Sequence, residues 1–197
     1  MHPRSPSRRW LATSARATLS VLVVSLGMLL VVPGVAGATT SNERSVFIVT
    51  AGDAAKANQR KYGIPASVTV AQAILESSWG GSDLARKTKN HFGMKCFKGA
   101  AGVIATGCAN SPTTECDKQK GCYPTVGAFR VYHSVVDSFA DHGHKLYESS
   151  RYDPAFKHSG NADQFIREVH KAGYATDPGY SDKVIKLMKQ YDLYRFN

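Results

Sequence analysis

The stretch from Ala71 to Ser82, which reads AQAILESSWGGS, contains the residue best suited to catalysis, Glu76. Apolar residues recur there at spacings of three and four, which predicts a helix with one face in a core, and Pro65 suits its first turn. Glu76 lies about 100° around the helix from Leu75, at the margin of that face. A half-buried carboxyl group has the raised pKa that a general acid needs near neutral pH. A solvated glutamate on the helix surface is the alternative interpretation.

The segment from Met1 to Ala38 has the composition of a secretory signal peptide. Arginines and no acidic residue precede an apolar run from Leu19 to Pro33, which is shorter than the roughly 20 residues of a membrane-spanning helix. Ala36-Gly37-Ala38 is a small-residue cleavage site. We therefore predict export, cleavage after Ala38 and no stable membrane insertion of the mature chain, with an uncleaved anchor as the alternative. Arg8-Arg9 resembles a twin-arginine export signal, and the general export pathway fits the same residues.

Composition indicates one basic domain after the signal peptide. The chain of 197 residues has a net charge of +10, which falls by four to +6 when the segment up to Ala38 is removed. The remainder is long enough for one core. Its charge suits a polyanionic partner such as a cell-wall polymer, although a solvated basic surface is the commoner explanation. The sequence has no phosphate-binding loop and no nucleic-acid recognition motif, so we expect no nucleic-acid partner, no cofactor and no metal, and a monomer.

All four cysteines fall within one short region of an exported chain, which predicts two disulfides. Their spacing contains no C-x-x-C pair, and this argues against a zinc site. Three pairings are possible. We favour Cys96 with Cys108 and Cys116 with Cys122, because each closes a short loop, and the other two pairings stay open.

The elements before the cysteines are predicted to be helical. We expect a disordered linker at residues 39–44 and a domain from residue 45 to residue 197, beginning with a helix that Gly63 ends. The Glu76 helix is expected to stop at Gly80-Gly81, and Ser82 then caps a short third helix.

From Cys96 to Tyr123 the chain has the composition of strands and turns, and residues 126–132 alternate like a strand. Ser134 with Asp137 forms a capping-box signature for the next helix, and Asn161 caps another. A last helix is expected from about Pro178. The fold class is therefore α+β, mostly helical, with a small disulfide-linked β lobe that forms one wall of a cleft.

Several separated motifs carry a resemblance to a known family. The chain resembles the N-acetylglucosaminidases of glycoside hydrolase family 73, lysozyme-like enzymes that cut bacterial peptidoglycan, in the segments AQAILESSWGGSDLA, NHFGMK, PTTE, AFRVYHSVVDSFADH and AGYATDPGYSDKV. These segments run from about Val68 to Val184. The resemblance implies a lysozyme-like fold and a secreted or wall-associated endo-β-N-acetylglucosaminidase acting on peptidoglycan glycan strands.

The resemblance also implies roles for individual residues. It places the general acid at Glu76 and aligns Glu115 with the family's second carboxylate, as a base or as an electrostatic stabiliser. Tyr174 matches a tyrosine of the cleft, although a buried core tyrosine is the alternative. Substrate binding is expected from four further residues, which are Asn90, Phe92, Gly93 and Tyr132. Trp79 is interpreted as a packing residue.

Other kinds of site fit the sequence less well. His142 and His144 are two apart on a helix and so do not face one another, which argues against a metal pair. No nucleophile signature surrounds any cysteine. The functional alternatives are a lytic transglycosylase or muramidase on the same fold, and a glycan-binding surface module without activity.

Overall fold

The computed structural model describes residues 40–117 and 121–197, and the predicted signal peptide lies outside them. Seven α-helices and two strands follow one another there: α1 Ser41–Tyr62, α2 Ala66–Ser77, α3 Asp83–Thr88, β1 Gly107–Asp117, β2 Gly121–Val131, α4 Val135–Glu148, α5 Asp153–Phe156, α6 Ala162–Lys171 and α7 Tyr180–Gln190. Short 3-10 turns occupy Ser150–Tyr152 and Leu193–Phe196. Within these ranges, no helix combines the length and apolar character needed to cross a membrane.

Helix α2 lies in the centre of the helical body. Nearly every residue from Ala66 to Ile74 is buried, and the helix packs against α1, α6, α7 and the C-terminal 3-10 turn. Fully buried side chains from the surrounding helices, including Phe139, Phe165 and Met188, complete the core. The apolar stripe predicted a helix with one buried face. The structure buries almost its whole circumference, so only the last turn can present a side chain to a ligand.

The first described residues differ from the expectation of a disordered linker at residues 39–44. Helix α1 begins at Ser41, and Thr40 is its N-cap. The Thr40 hydroxyl accepts a hydrogen bond from the Glu43 N–H, while the Glu43 carboxylate accepts one from the Thr40 N–H at 2.7 Å. This capping box satisfies two N–H groups that the first turn would leave unpaired. Gly63, at φ 75°, ends the helix as predicted.

Helix α2 ends at Ser77 and not at Gly80-Gly81 as expected. Ser78 and Trp79 both have left-handed backbone conformations, with φ of 50° and 63°. The Ser77 hydroxyl stabilises this turn by accepting a hydrogen bond from the Gly80 N–H at 2.7 Å. The Trp79 ring packs edge-on against Tyr191 with ring centroids 4.7 Å apart. The tight turn therefore begins at Ser78, two residues after Glu76.

The β lobe is an antiparallel hairpin of β1 and β2, which confirms the predicted region of strands and turns. Residues 91–95 are irregular and contribute one isolated bridge, from Lys95 to Phe129. The Cys96–Cys108 disulfide is present as favoured. Cys122 is also disulfide-bonded, and Cys116 lies opposite it in the register. The Cys116 side chain lies outside the described part, so that pairing stays a prediction.

Candidate active site

Glu76 lies on the last turn of α2, where the helix leaves the core. Solvent reaches this residue, and its Oε1 accepts a hydrogen bond from the Tyr180 hydroxyl at 2.8 Å. Partial burial of the carboxyl group raises its pKa above the ordinary value, and the hydrogen bond from Tyr180 opposes that rise. Glu76 therefore keeps its proton to a higher pH than a solvated glutamate does, as a general acid requires.

A cleft of about 440 Å³ opens beside Glu76, between the end of α2 and the segment joining α6 to α7. Its lining comprises Leu75, Glu76, Gly173, Tyr174, Ala175, Thr176, Asp177, Tyr180 and Lys183. Gly173, at φ 87°, permits the sharp turn that follows α6. Asp177 then accepts a hydrogen bond from the Gly179 N–H at 2.9 Å and pairs with Lys183 at 2.5 Å. These contacts hold the segment against α2.

The two carboxyl groups of this cleft have opposite electrostatic environments. The hydrogen bonds from Lys183 and the Gly179 N–H lower the pKa of Asp177, whereas burial raises the pKa of Glu76. Asp177 therefore stays ionised near neutral pH, and Glu76 is the carboxyl group suited to donating a proton. Environments that separate two pKa values in this way identify the acid of a catalytic site.

Tyr174 lies in the cleft, half-buried, with its ring 5.5 Å from that of Tyr180. Its hydroxyl oxygen is 3.1 Å from Nε2 of His142, a fully buried histidine of α4. Burial, assisted by the nearby Glu76 carboxylate, raises the pKa of Tyr174 well above its usual value. Tyr174 is therefore a neutral phenol that can donate or accept a hydrogen bond at the cleft.

Three of the four residues expected to bind substrate, which are Asn90, Phe92 and Tyr132, are buried. Asn90 hydrogen-bonds the Met94 backbone and the Arg130 carbonyl, and so anchors the loop that follows α3 to β2. Phe92 stacks on His142, and the Tyr132 hydroxyl donates to buried Asp141 at 2.8 Å. Because their side chains contact the protein, Asn90, Phe92 and Tyr132 are packing residues in this structure, and direct contact of any of them with substrate stays a prediction.

Gly93 is partly exposed, has a φ of 60°, and has no atom within 4 Å of the position that a Cβ would occupy. Its left-handed conformation, rather than lack of space, is what requires glycine there. Its predicted contact with substrate stays a prediction.

Glu115 does not line the cleft beside Glu76. Its carboxylate forms an ion pair with Lys95, both side chains are about half-exposed, and Glu115 is absent from the lining of the cleft. The residue stands opposite Tyr123 in the hairpin. The Glu115 carboxylate is therefore held by Lys95, the residue directly before Cys96 of the Cys96–Cys108 disulfide.

Comparison with known proteins decides the family. The glucosaminidase family model, described as mannosyl-glycoprotein endo-beta-N-acetylglucosaminidase, matches residues 52–193. The chain belongs to this glucosaminidase family. It is 36% identical over 160 residues to the exo-glucosaminidase LytG of Bacillus subtilis, covering 77% of this chain and 53% of LytG. It is 34% identical over 159 residues to the peptidoglycan hydrolase FlgJ of Vibrio cholerae, covering 78% of this chain and 46% of FlgJ.

This glucosaminidase domain spans about half the length of those two relatives. Among solved structures it is similar to the catalytic domain of the autolysin Auto from Listeria monocytogenes, with a TM-score of 0.68 and 28% identity. That match covers 82% of this chain and 91% of the autolysin domain. The likeness confirms the lysozyme-like, mostly helical fold with a small sheet, and it places the chain among glycoside hydrolases.

Sequence reasoning missed Tyr180 and Asp177 in this glucosaminidase domain. Both lie in the AGYATDPGYSDKV segment, which drew attention only to Tyr174. A local signal existed in Gln72, a buried polar residue one helical turn before Glu76, whose Nε2 donates to the Tyr180 hydroxyl at 3.0 Å. A polar residue in an otherwise apolar stripe indicates a buried polar partner.

Proposed function

We propose that this glucosaminidase domain is an exported endo-β-N-acetylglucosaminidase that hydrolyses the glycan strands of peptidoglycan, with Glu76 as the general acid. The proposal rests chiefly on one observation. Glu76 has a raised pKa, lies in a cleft beside two tyrosines, and shares that cleft with a carboxylate whose pKa is lowered. The relatives named as a glucosaminidase and a peptidoglycan hydrolase support the choice of substrate.

The chemistry requires a proton for a poor leaving oxygen while positive charge develops at the anomeric carbon. Glu76 supplies that proton. Tyr180 orients its carboxyl group, since the Tyr180 hydroxyl is itself held by Gln72. Tyr174 remains protonated and forms a hydrogen bond with an oxygen of the bound sugar. The exposed end of α2 thus carries the proton donor, and the segment after α6 carries the residues that surround the sugar.

The opposite face of the sugar requires a second group. Glu115 is engaged by Lys95, and Asp177 by Lys183 and the Gly179 N–H. We therefore assign this role to the 2-acetamido group of the substrate, which attacks the anomeric carbon intramolecularly. Water then opens the resulting ring, and the anomeric configuration is retained. A water activated by Glu115 would instead invert the configuration.

Digestion of purified sacculi tests the proposal. Wild-type protein is expected to release fragments with reducing N-acetylglucosamine ends, detected by mass spectrometry, and proton NMR of the first products is expected to show retained configuration. Glu76→Gln keeps the shape of the side chain and removes the titrating proton, so we expect a loss of about 10²- to 10⁴-fold in kcat. Full activity of this variant would refute the assignment of Glu76.

The same digestion separates the alternatives, which matters because a relative from Lactococcus lactis, 33% identical to this chain, is named a probable N-acetylmuramidase. Reducing N-acetylmuramic acid ends would identify a muramidase, and anhydromuramic ends a lytic transglycosylase. Release of single sugars from strand ends would indicate an exo-acting enzyme like the named LytG. Binding to sacculi without cleavage would indicate a glycan-binding module.

We further propose that the chain is exported through the segment from Met1 to Ala38, by the general or the twin-arginine route, and acts as a monomer at the wall.

A further inference from the structure

His142 lies on the inner face of α4, directly behind Tyr174. Its exposed fraction is 1%, and its ring stacks on Phe92 with centroids 4.0 Å apart and planes at 11°. Nε2 lies 3.1 Å from the hydroxyl oxygen of Tyr174, and Nδ1 has no hydrogen-bond partner in the described part of the chain. The only polar contact of the imidazole within that part is therefore with a hydroxyl group that borders the cleft.

Close packing of α4 against α1 fixes the position of this imidazole. A Cβ on the next residue, Gly143, would lie 2.7 Å from Nδ2 of Asn58. Asn58 in turn donates a hydrogen bond to the Phe139 carbonyl at 2.6 Å. The backbone on either side of His142 is thus held against α1, while Phe92 holds the face of the ring.

Both members of the His142–Tyr174 pair are uncharged. Burial lowers the pKa of His142 to about 3, and the nearby Lys145 charge acts in the same direction. Tyr174 keeps its proton because burial raises its pKa. A neutral imidazole has one N–H and one bare nitrogen, so two hydrogen-bond arrangements are possible.

The two arrangements differ in which atom of His142 is left unpaired. With the proton on Nδ1, a buried N–H would have no acceptor in the described residues, and Tyr174 would donate inward to Nε2. With the proton on Nε2, His142 donates to Tyr174, and only the bare Nδ1 is unpaired. Buried N–H groups without an acceptor are rarer in proteins than buried acceptors without a donor, which favours the second arrangement.

We propose that His142 is a positioning residue whose Nε2–H donates a hydrogen bond to the Tyr174 hydroxyl oxygen. The Tyr174 O–H is then left to donate on the cleft side, where its polar neighbours are the Tyr180 hydroxyl and Glu76. This inference rests on the proposed function, because the acceptor of that O–H is an oxygen of the bound sugar. The opposite tautomer would turn the O–H inward and leave only a phenol oxygen, an acceptor, to face the sugar.

Imidazole ¹⁵N shifts of the labelled wild-type protein test the tautomer without any activity measurement. Protonated and bare nitrogens of a neutral imidazole have well-separated shifts, and His142→Gln assigns the signals. We expect Nε2 in the protonated range and Nδ1 in the bare range at neutral pH. A proton on Nδ1 would overturn the proposal.

Kinetics on sacculi fragments test the positioning role. His142→Phe keeps the stack on Phe92 and removes the donor, so we expect about a tenfold fall in kcat with little change in KM. His142→Gln restores most of kcat, because its amide N–H reaches the position of Nε2. In a Tyr174→Phe background, His142→Phe is expected to cause no further loss.

The matched control is His144→Phe, two residues along α4 and partly exposed, for which we expect wild-type kcat. If the losses in kcat from His142→Phe and Tyr174→Phe multiply in the double variant, the positioning role is overturned. It is also overturned if His142→Gln has the melting temperature of wild type but does not restore kcat. Full activity of Tyr174→Phe would remove the roles of both residues and leave the assignment of Glu76 intact.

Discussion

At the scale of single residues, the cleft separates the functions of chemically similar groups by their surroundings. Glu76 and Asp177 line the same cleft, yet burial raises one pKa and hydrogen bonds lower the other. Tyr174 and Tyr180 are both neutral phenols, but Tyr180 is engaged between Gln72 and Glu76 while Tyr174 contacts His142. Contacts made behind each side chain, rather than residue type, determine its role.

The raised pKa of Glu76 predicts that removing this carboxyl group stabilises the fold at neutral pH. The folded state binds the proton more tightly than the unfolded state, so the stability of wild type falls as pH rises from the ordinary value of 4.5 through the raised pKa of Glu76. Glu76→Gln does not titrate and can still accept the Tyr180 hydrogen bond. We expect its Tm to exceed that of wild type at pH 7, with the difference vanishing near pH 3.

Thermal unfolding followed by circular dichroism at several pH values measures this difference, and each kcal/mol corresponds to about 2–4 °C for a domain of this size. Glu115→Gln is the control, because it removes a carboxylate that pairs with Lys95 and does not line the cleft. A pH-independent difference between wild type and Glu76→Gln would contradict the prediction.

Tyr180→Phe is expected to move the pH dependence of activity. The Tyr180 hydroxyl donates to the ionised form of Glu76, so its loss raises the pKa of Glu76 further. Since the acid must be protonated, the alkaline limb of the kcat/KM profile should shift to higher pH. Tyr194→Phe is the matched control, because it also removes a tyrosine–carboxylate hydrogen bond, to Asp163 at 2.5 Å, outside the lining of the cleft. An unchanged alkaline limb in Tyr180→Phe would show that this contact does not tune the acid.

At the scale of elements, local signatures explain which parts of the fold were predictable. Ser134 with Asp137 correctly predicted the start of α4, because a capping box is complete within four residues. The same signature occurs at Thr40 and Glu43, where polar composition alone predicts disorder. The end of α2 differs from the expectation because its first left-handed residues are Ser78 and Trp79 and not glycines. The Ser77–Gly80 hydrogen bond and the packing of Trp79 on Tyr191, which directly follows α7, stabilise this turn.

The site was only partly predictable for the same physical reason. Glu76 lies on a helix whose apolar periodicity can be recognised locally. Its hydrogen bond to Tyr180 joins residues 104 positions apart, and the contact between His142 and Tyr174 joins residues 32 apart. No local pattern identifies the partner in such a contact: Gln72 indicates a buried polar neighbour but not that this neighbour is Tyr180. Nor does local sequence show that Asn90, Phe92 and Tyr132 are buried.

Loss of the Cys96–Cys108 disulfide is expected to affect the β lobe more than the helices. The bond joins two cysteines 12 positions apart, the first of which directly follows Lys95. The Cys96 N–H donates a hydrogen bond to the Ala128 carbonyl of β2. In the chain-entropy description a loop of this size contributes about 3 kcal/mol. We expect Cys96→Ser/Cys108→Ser to lower activity on sacculi severalfold while retaining most helical circular dichroism. Proportional losses of both signals would contradict a separately stabilised lobe.

At the scale of the whole molecule, one buried helix connects core and chemistry. Helix α2 is surrounded by α1, α6, α7 and the C-terminal turn, and Glu76 lies where it emerges. The other side of the cleft comes from the segment after α6, so the site depends on correct packing of helices that are distant in sequence. The basic surface adds a long-range attraction to acidic polymers.

Wall binding is therefore expected to depend on salt. Without the segment from Met1 to Ala38 the chain has a net charge of +6. The screening length falls from about 10 Å at 0.1 M salt to about 3 Å at 1 M. We expect the bound fraction of Glu76→Gln on sacculi, measured by co-sedimentation, to fall over this range. Sacculi stripped of acidic polymers serve as the control, and salt-independent binding would assign affinity to the cleft alone.

The early end of α2 has a further consequence for Glu76. Two left-handed residues stop the helix one residue after the acid. The backbone carbonyls of a last turn lack partners farther along the helix, and the aligned peptide dipoles concentrate about half a negative elementary charge there. That field disfavours an ionised carboxylate and acts in the same direction as burial. If α2 continued to Gly81, Glu76 would lie about one turn from the negative, C-terminal end of the helix. The turn at Ser78 and Trp79 therefore favours the protonated form of Glu76 by setting where the peptide dipoles terminate.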